Sequence, residues 1–268
     1  MPRSLPQGSG PLHAPGAGTL RALPAGPDDL DLFDSLRERR CPPGRFIGDG
    51  WRVVSKMIER GAAERILCTP EWLERLAPLP GVEIRTAPKE TLDRLVGFRL
   101  HQGIMALGRI PPAPPRVEGT LLVALDGLSN AENVGAILRT CAAFGADGVL
   151  VGPTTASPWL RRAVRVSMAA PLQVPVHFVP DLPEALRPLN AWAADLRGER
   201  RSYTDVDYTA PVCLVLGGED KGVTPPVRAA CRGAIGIPMA PGWDCLNVAA
   251  CAAVLLAEAR RQRAARVT

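Results

Sequence analysis

A chain of 268 residues, 46% of them hydrophobic, holds enough apolar surface for one large core or two modest ones, and no run of about 18 uninterrupted apolar residues is present to cross a membrane. Seven cysteines without a C-x-x-C pair, and three dispersed histidines (His13, His101 and His177), argue against a disulfide framework and a zinc site, so no metal is expected. The formal charge of +5, much of it Arg, leans towards a polyanionic partner without identifying one.

Residues 1–27 are rich in Pro, Gly and Ala without hydrophobic periodicity, and are expected to form a disordered tail. The opening stretch has Pro and Gly where a signal peptide needs a continuous apolar segment, so a soluble cytoplasmic protein is expected. Helical spacing starts at "DDLDLFDSLRERR". "FIGDGWRVVSKMIERGAAERILCTPEWLERL" then reads as strand, turn, helix, buried strand and helix. "GVEIRTAPKETLDRLVGF" repeats strand then helix, and "GIMALGRI" closes a small α/β module within residues 28–110. In "PPAPPRVEG", residues 111–118 read as a Pro-rich, extended linker.

From residue 119 to 268 the alternation is more regular. Strands are predicted at "TLLVALDG", "GVLVG", "VPVHFV", "AWAADL", "VCLVLGG" and "GAIGIPM", with helices at "NVGAILRTCAAFG", "LRRAVRVS", "LPEALRPL", "PPVRAAC" and the last segment. Nearly all-apolar strands followed by helices indicate a parallel sheet covered on both faces, whose ligands gather beyond the carboxyl ends of the strands.

Three stretches end strands at that edge. In "LDGLSNAENVGAILRTCAAFG", Asn133 and Gly135 are expected to open a helix that carries Arg139 amid apolar neighbours, where a guanidinium needs a partner or must snorkel along the helix edge. No G-x-G-x-x-G follows the first strand, which weighs against a dinucleotide-binding oxidoreductase. In "LVLGGEDKGVTPP", Gly217 and Gly218 either let a ligand approach the backbone or simply form a turn, and Glu219 adds a carboxylate. The nucleotide-triphosphatase loop G-x-x-x-x-G-K-[ST] is not matched. In "IGIPMAPGWDCLNVAAC", Ile237, Pro238 and Met239 are expected to end a strand, and Leu246 and Asn247 to start the last helix around a pocket suited to a flat base and a thioether chain. Asp244 or Asn247 could serve there simply as a helix cap.

Taken together, N-x-x-x-x-x-R, LGGE-x-x-G and IPM…LNV resemble, in order and spacing, the motifs of the SpoU/TrmH-type RNA ribose 2′-O-methyltransferases of the SPOUT superfamily. The resemblance implies an α/β fold with a deep carboxyl-terminal trefoil knot, preceded by a small ribosomal-protein-like RNA-binding domain in which "FIGDGWRVV" and "HQGIMA" stand in the expected places. It also implies S-adenosylmethionine as methyl donor, structured RNA as substrate (rRNA in preference to tRNA) and a homodimer. Arg139 corresponds to the family's catalytic arginine, and Asn133, Glu219 and Asn247 to its other polar site residues, with Cys245 where Ser is usual before LNV. Leu216, Gly217, Gly218, Ile237 and Leu246 would hold the cofactor, with Met239 nearby, and Asn247 would brace the knot and pocket. "VSMAAPL" departs from the pattern with Ala169 where Gly is usual. Because the guanidinium pKa exceeds about 12, Arg139 is assigned to orienting and polarising the 2′-hydroxyl rather than to accepting its proton. The alternative reading is a catalytically impaired RNA-binding protein of the same fold, motivated by Cys245.

Overall fold

The computed structural model describes residues 22–34, 42–97, 99–100, 102–243 and 245–266. His101 and Asp244 lie outside the described residues, as does the expected tail up to residue 21. The chain divides into two compact units between Arg109 and Ile110, ahead of the Pro-rich segment.

In the first unit, strands β1 (Leu23–Pro24), β2 (Arg45–Asp49), β3 (Ala63–Cys68), β4 (Glu83–Thr86) and β5 (Ile104–Arg109) form one sheet in the order β1-β4-β3-β5-β2. The pairs β1–β4 and β3–β4 are parallel, whereas β5 runs antiparallel to β2 and β3. Helices α1 (Pro27–Asp34), α2 (Trp51–Glu59), α3 (Pro70–Leu73) and α4 (Lys89–Val96) connect them. Gly48 and Gly108 leave the space in which Met57 of α2 sits: a Cβ at either would come within 2.5 or 2.6 Å of that side chain.

The last residues of the expected disordered tail are instead part of the fold. Leu23 and Pro24 pair with Arg85 and Thr86, and the Asp29 carboxylate accepts hydrogen bonds from Arg65 Nη1 at 2.8 Å and Arg85 Nε at 3.1 Å. A two-residue strand has no periodicity to detect, and these ion pairs join positions far apart in the chain.

The second unit is a seven-stranded sheet with every pairing parallel. Its strands are β6 (Leu121–Asp126), β7 (Gly148–Val151), β8 (Val176–Phe178), β9 (Ala191–Ala194), β10 (Arg201–Ser202), β11 (Val212–Gly217) and β12 (Gly233–Gly236), in the order β10-β12-β9-β11-β6-β7-β8. The helices are α5 (Ala131–Phe144), α6 (Arg161–Val166), α7 (Leu182–Leu186), α8 (Pro225–Ala230) and α9 (Val248–Ala264). The alternation of β6 shows how the sheet is covered on both sides. Leu121, Val123 and Leu125 pack into the core shared with α5 and α9, while Leu122 and Ala124 pack into the one shared with α7 and α8. Arg263 pins the end of α9 by donating from Nε to the Tyr208 carbonyl at 2.8 Å and from Nη2 to the Thr120 carbonyl at 2.6 Å.

Three local expectations need correction. The helix carrying Arg139 opens at Ala131, not at Asn133, because the Asn130 side chain caps it by accepting the Glu132 N–H at 2.8 Å. Gly135 serves helix packing, since a Cβ there would stand 2.6 Å from the Ala163 carbonyl of α6. The strand before the last helix ends at Gly236, so Ile237, Pro238 and Met239 lie in the following loop.

Ala169 adopts φ 59°, and Met168 before it φ 54°. Left-handed backbone costs a residue with a Cβ about 1–2 kcal/mol that glycine avoids. Ala169→Gly is therefore expected to stabilise this unit by about 1 kcal/mol, the strain relief exceeding the glycine entropy cost. Urea unfolding measures this directly, and a lowered midpoint would mean that burial of the Ala169 methyl outweighs the strain.

Candidate functional site

All the strands of the second unit run the same way, so the segments after β6, β9, β11 and β12 emerge at one edge. The loop after β11 is folded tightly upon itself and tied to β6. Gly222 N–H donates to the Gly218 carbonyl at 2.8 Å, Gly218 N–H to the Asp126 carbonyl at 3.0 Å, and Thr224 N–H to Asp126 Oδ2 at 2.7 Å. A Cβ on Gly217 would lie 2.1 Å from Gly222 C and Val223 N, and one on Gly218 would lie 2.7 Å from the Gly127 carbonyl. Both positions need glycine because the chain itself comes that close, whether or not a ligand approaches.

Beside this loop is a cavity of about 680 Å³. Leu216, Gly217, Gly218, Ile237, Met239 and Leu246, the six positions expected to hold a cofactor, all line it, as do Glu219, Cys245 and Asn247. Leu246 is 44% exposed, leaving an apolar side chain at the cavity wall that nothing in the fold covers fully.

Three of the polar residues meet there. Asn133 Nδ2 donates to Glu219 Oε1, and Asn247 Nδ2 lies 3.3 Å from both Asn133 Oδ1 and Glu219 Oε1. The same Asn247 side chain turns its Oδ1 to the amino end of α9, accepting from Ala249 N–H at 2.9 Å and Ala250 N–H at 3.4 Å. Asn247 is therefore a helix cap and, through its Nδ2, a bridge between α5 and the loop after β11. Arg139 is not brought into this cluster. It is exposed on α5, forms no hydrogen bond or ion pair with the described residues, and is not part of the cavity wall.

Some lining residues escaped the sequence reading, Asp195 and Arg197 first among them. Asp195 and Arg197 follow β9, in "ADLRGE", and form a two-pronged ion pair: Arg197 Nε to Asp195 Oδ1 is 3.0 Å, and Nη2 to Oδ2 is 2.9 Å. Arg197 Nη2 also reaches the Val223 carbonyl at 2.5 Å, fastening the glycine loop to the end of β9. Burial pushes the Asp195 carboxyl up, but the hydrogen bonds and charge of Arg197, with Arg228 adding to them, outweigh it and hold the group below the usual carboxylate range. The available signal was positional, a polar pair at the end of a buried strand, as in the other stretches. Cys251, on the first turn of α9, also lines the cavity, and burial pushes its thiol up to about 11.

Among the described residues, no group of three or more His, Cys, Asp and Glu side chains is placed to hold a metal ion, and no helix is long and apolar enough to cross a membrane.

Comparison with known proteins places this edge in context. An uncharacterized tRNA/rRNA methyltransferase of Mycobacterium avium is 36% identical over an alignment 203 positions long that covers 68% of this chain and 63% of that relative. The chain thus spans less than two thirds of the length of the curated relatives it matches. A TrmH-family structure from Porphyromonas gingivalis superposes with a TM-score of 0.79 at 27% identity, covering 89% of this chain and 99% of that one. The SpoU methyltransferase AviRb from Streptomyces viridochromogenes, solved in complex with the cofactor AdoMet, superposes with a TM-score of 0.77 at 26% identity, covering 88% and 98%. Residues 120–257, just over half of the chain and containing the whole glycine loop and the Asn133–Glu219–Asn247 cluster, match the sequence pattern of one family, and the chain belongs to that family, the SpoU rRNA Methylase family.

Proposed function

We propose that this protein is an RNA methyltransferase that transfers a methyl group from S-adenosylmethionine to a ribose 2′-hydroxyl of structured RNA, rRNA in preference to tRNA. The observation that carries the reading is the Asn133–Glu219–Asn247 cluster beside an apolar cavity of about 680 Å³, a volume within the range of small-molecule sites. The lining fits the donor. Leu216, Ile237, Met239 and Leu246 offer apolar contact to a flat base, and backbone groups at the ends of β11 and β12 offer hydrogen bonds to its edge. When bound, S-adenosylmethionine supplies a methyl group on a positively charged sulfonium.

The chain's own residues then divide the work. Asn247 fixes the start of α9 and aligns Asn133 and Glu219, so that the polar wall is assembled before substrate arrives. Arg197 holds the glycine loop against β9. Arg139 stands apart from the cavity and the cluster; its role of orienting and polarising the ribose hydroxyl rests on its place in the motif and on a permanent charge without an internal partner among the described residues. No metal is required in this scheme.

The reading extends to the rest of the protein. The first unit serves as a ribosomal-protein-like RNA-binding domain of residues 28–110, joined by the linker 111–118 to the methyltransferase domain 119–268, in a cytoplasmic protein. The second unit follows, in this reading, the knotted path that the resemblance of its three motifs implies. Ala250 and Ala257 are exposed on α9 beside half-buried Ala253 and Val254, a small-residue surface that supports a homodimer; light scattering at micromolar concentration giving a monomer mass would exclude it. Cys245 favours one competing reading, a binding protein of this fold with impaired turnover. Tight S-adenosylmethionine binding with no methyl transfer to total RNA would select it.

Arg139→Ala is expected to lower the single-turnover rate by a factor on the order of 100 or more, with cofactor affinity and melting temperature little changed. Asn247→Ala removes a cap and a bridge together. It is expected to cost about 1–2 kcal/mol of stability and to weaken cofactor binding in titration calorimetry. An Arg139→Ala variant that keeps its rate would remove Arg139 from the reacting centre. A chelator is expected to leave activity intact, and methyl found on a base would contradict the ribose assignment.

The cysteines provide a readout independent of turnover. At neutral pH, iodoacetamide is expected to label exposed Cys245 well before Cys251, whose thiol stays protonated until the pH approaches about 11. S-adenosylmethionine should slow the Cys245 reaction, and peptide mapping showing unchanged labelling would place the cofactor elsewhere.

A further inference from the structure

The first unit contains an aromatic arrangement that its core does not require. Strands β2 and β3 flank β5 and both run antiparallel to it, so their carboxyl ends leave the same edge of the sheet on either side of the start of β5. Each exit turn delivers a tryptophan there, Trp51 after Gly50 and Trp72 after Thr69. Their ring centroids are 5.4 Å apart with the planes inclined by 31°, and both side chains are only half-buried.

The turns that carry the two rings are fixed by the backbone around β5. Gly50 N–H donates to the Ile104 carbonyl at 3.0 Å and Thr69 N–H to the Gly103 carbonyl at 2.9 Å, while Trp51 N–H donates to Gln102 Oε1 at 2.6 Å. A guanidinium completes the surface: Arg75 Cζ stands 5.2 Å from the centre of the Trp72 ring, and its side chain is exposed, as is that of Arg52. Carboxylates are also present, since Glu71 and Glu74 are exposed on either side of Trp72 and Leu73. A surface with flat apolar rings, held rigid, with cations and anions mixed around it, suits the face of a base better than a phosphate.

We propose that Trp51, Trp72 and Arg75 form a stacking platform that takes an unpaired nucleobase of the RNA. The proposal rests on the reading of this protein as an RNA-modifying enzyme and assigns to its first unit the binding of an exposed base. Stacking is indifferent to base identity, because every base offers a π face, and the ordered turns spare the platform the entropy of arranging its rings on binding.

The test uses the full chain and a fluorescein-labelled single-stranded RNA of about twelve nucleotides, compared with the same sugar-phosphate chain lacking bases. Trp72→Ala is expected to weaken binding of the RNA by about tenfold or more, Arg75→Ala to weaken it less, and Trp72→Phe to retain most of the affinity. The baseless chain should bind weakly and equally to all four proteins, and the RNA alone should quench tryptophan emission. Should Trp72→Ala fail to fold, Arg75→Ala and the difference in quenching between the two probes still decide. The platform is overturned if the unaltered chain does not bind the RNA, if it binds both probes equally, or if Trp72→Ala binds as tightly as the unaltered chain. Methyl transfer to total RNA, measured separately, distinguishes this failure from that of the enzymatic reading. Full transfer by Trp72→Ala would remove the platform and leave the enzyme; base-dependent binding without transfer by the unaltered chain would support the platform and remove the enzyme.

Discussion

The side-chain amide of Asn247 is the interaction on which the candidate site depends. Its oxygen satisfies two of the free N–H groups at the start of α9, and its nitrogen reaches Asn133 on α5 and Glu219 in the loop after β11. Three elements distant in sequence are thus joined by one group that has both a donor and an acceptor. Aspartate could cap but not donate, and serine could not span both partners, so the chemistry selects an amide. The cap also sets where α9 begins, and with it the position of Leu246 on the cavity wall.

The geometry around that amide follows from the direction of the sheet. Parallel strands deliver their following segments to one edge, and in the second unit those segments pack by the close approach of backbone to backbone. Gly217 is the clearest instance, because the chain returns across it at a distance no Cβ could tolerate. Arg197 and Asp126 then lock the returning segment from either side, through the Val223 carbonyl and the Thr224 N–H. The N–H groups of Gly218, Gly222 and Thr224 and the Val223 carbonyl thus find partners within the fold, and the neighbouring cavity is lined largely by apolar side chains.

The same edge logic operates in the first unit with a different result. There the exit turns of β2 and β3 carry tryptophans instead of glycines, and hydrogen bonds to the start of β5 hold them. Small residues at a strand end bring backbone together, whereas large aromatic ones leave a flat surface at the rim.

Several features were legible in the sequence because they are local. The nearly all-apolar strands of the second unit and the Gly-rich turn after "VCLVL" follow from local pattern and turn chemistry alone. The motif spacing pointed to the family, and the departure at Ala169 marked a position where the backbone turns left-handed. Other features depend on contacts between residues far apart in the chain. The Asp29 ion pairs that order the segment around Leu23, the grip of Arg197 on Val223 and the meeting of Trp51 with Trp72 leave no periodic trace. Arg139 illustrates the limit from the other side: its place in the motif was plain from sequence, yet its exposure and its separation from the Asn247 cluster follow only from the rotation of α5 against its neighbours. Sequence by itself determined the longer strands and helices, because those choices rest on spacing along the chain, whereas the two-residue strands β1 and β10 exist only through their pairing with distant strands. Tertiary structure decided which polar groups meet, because hydrogen bonds of about 3 Å are set by packing in three dimensions, which sequence spacing does not record.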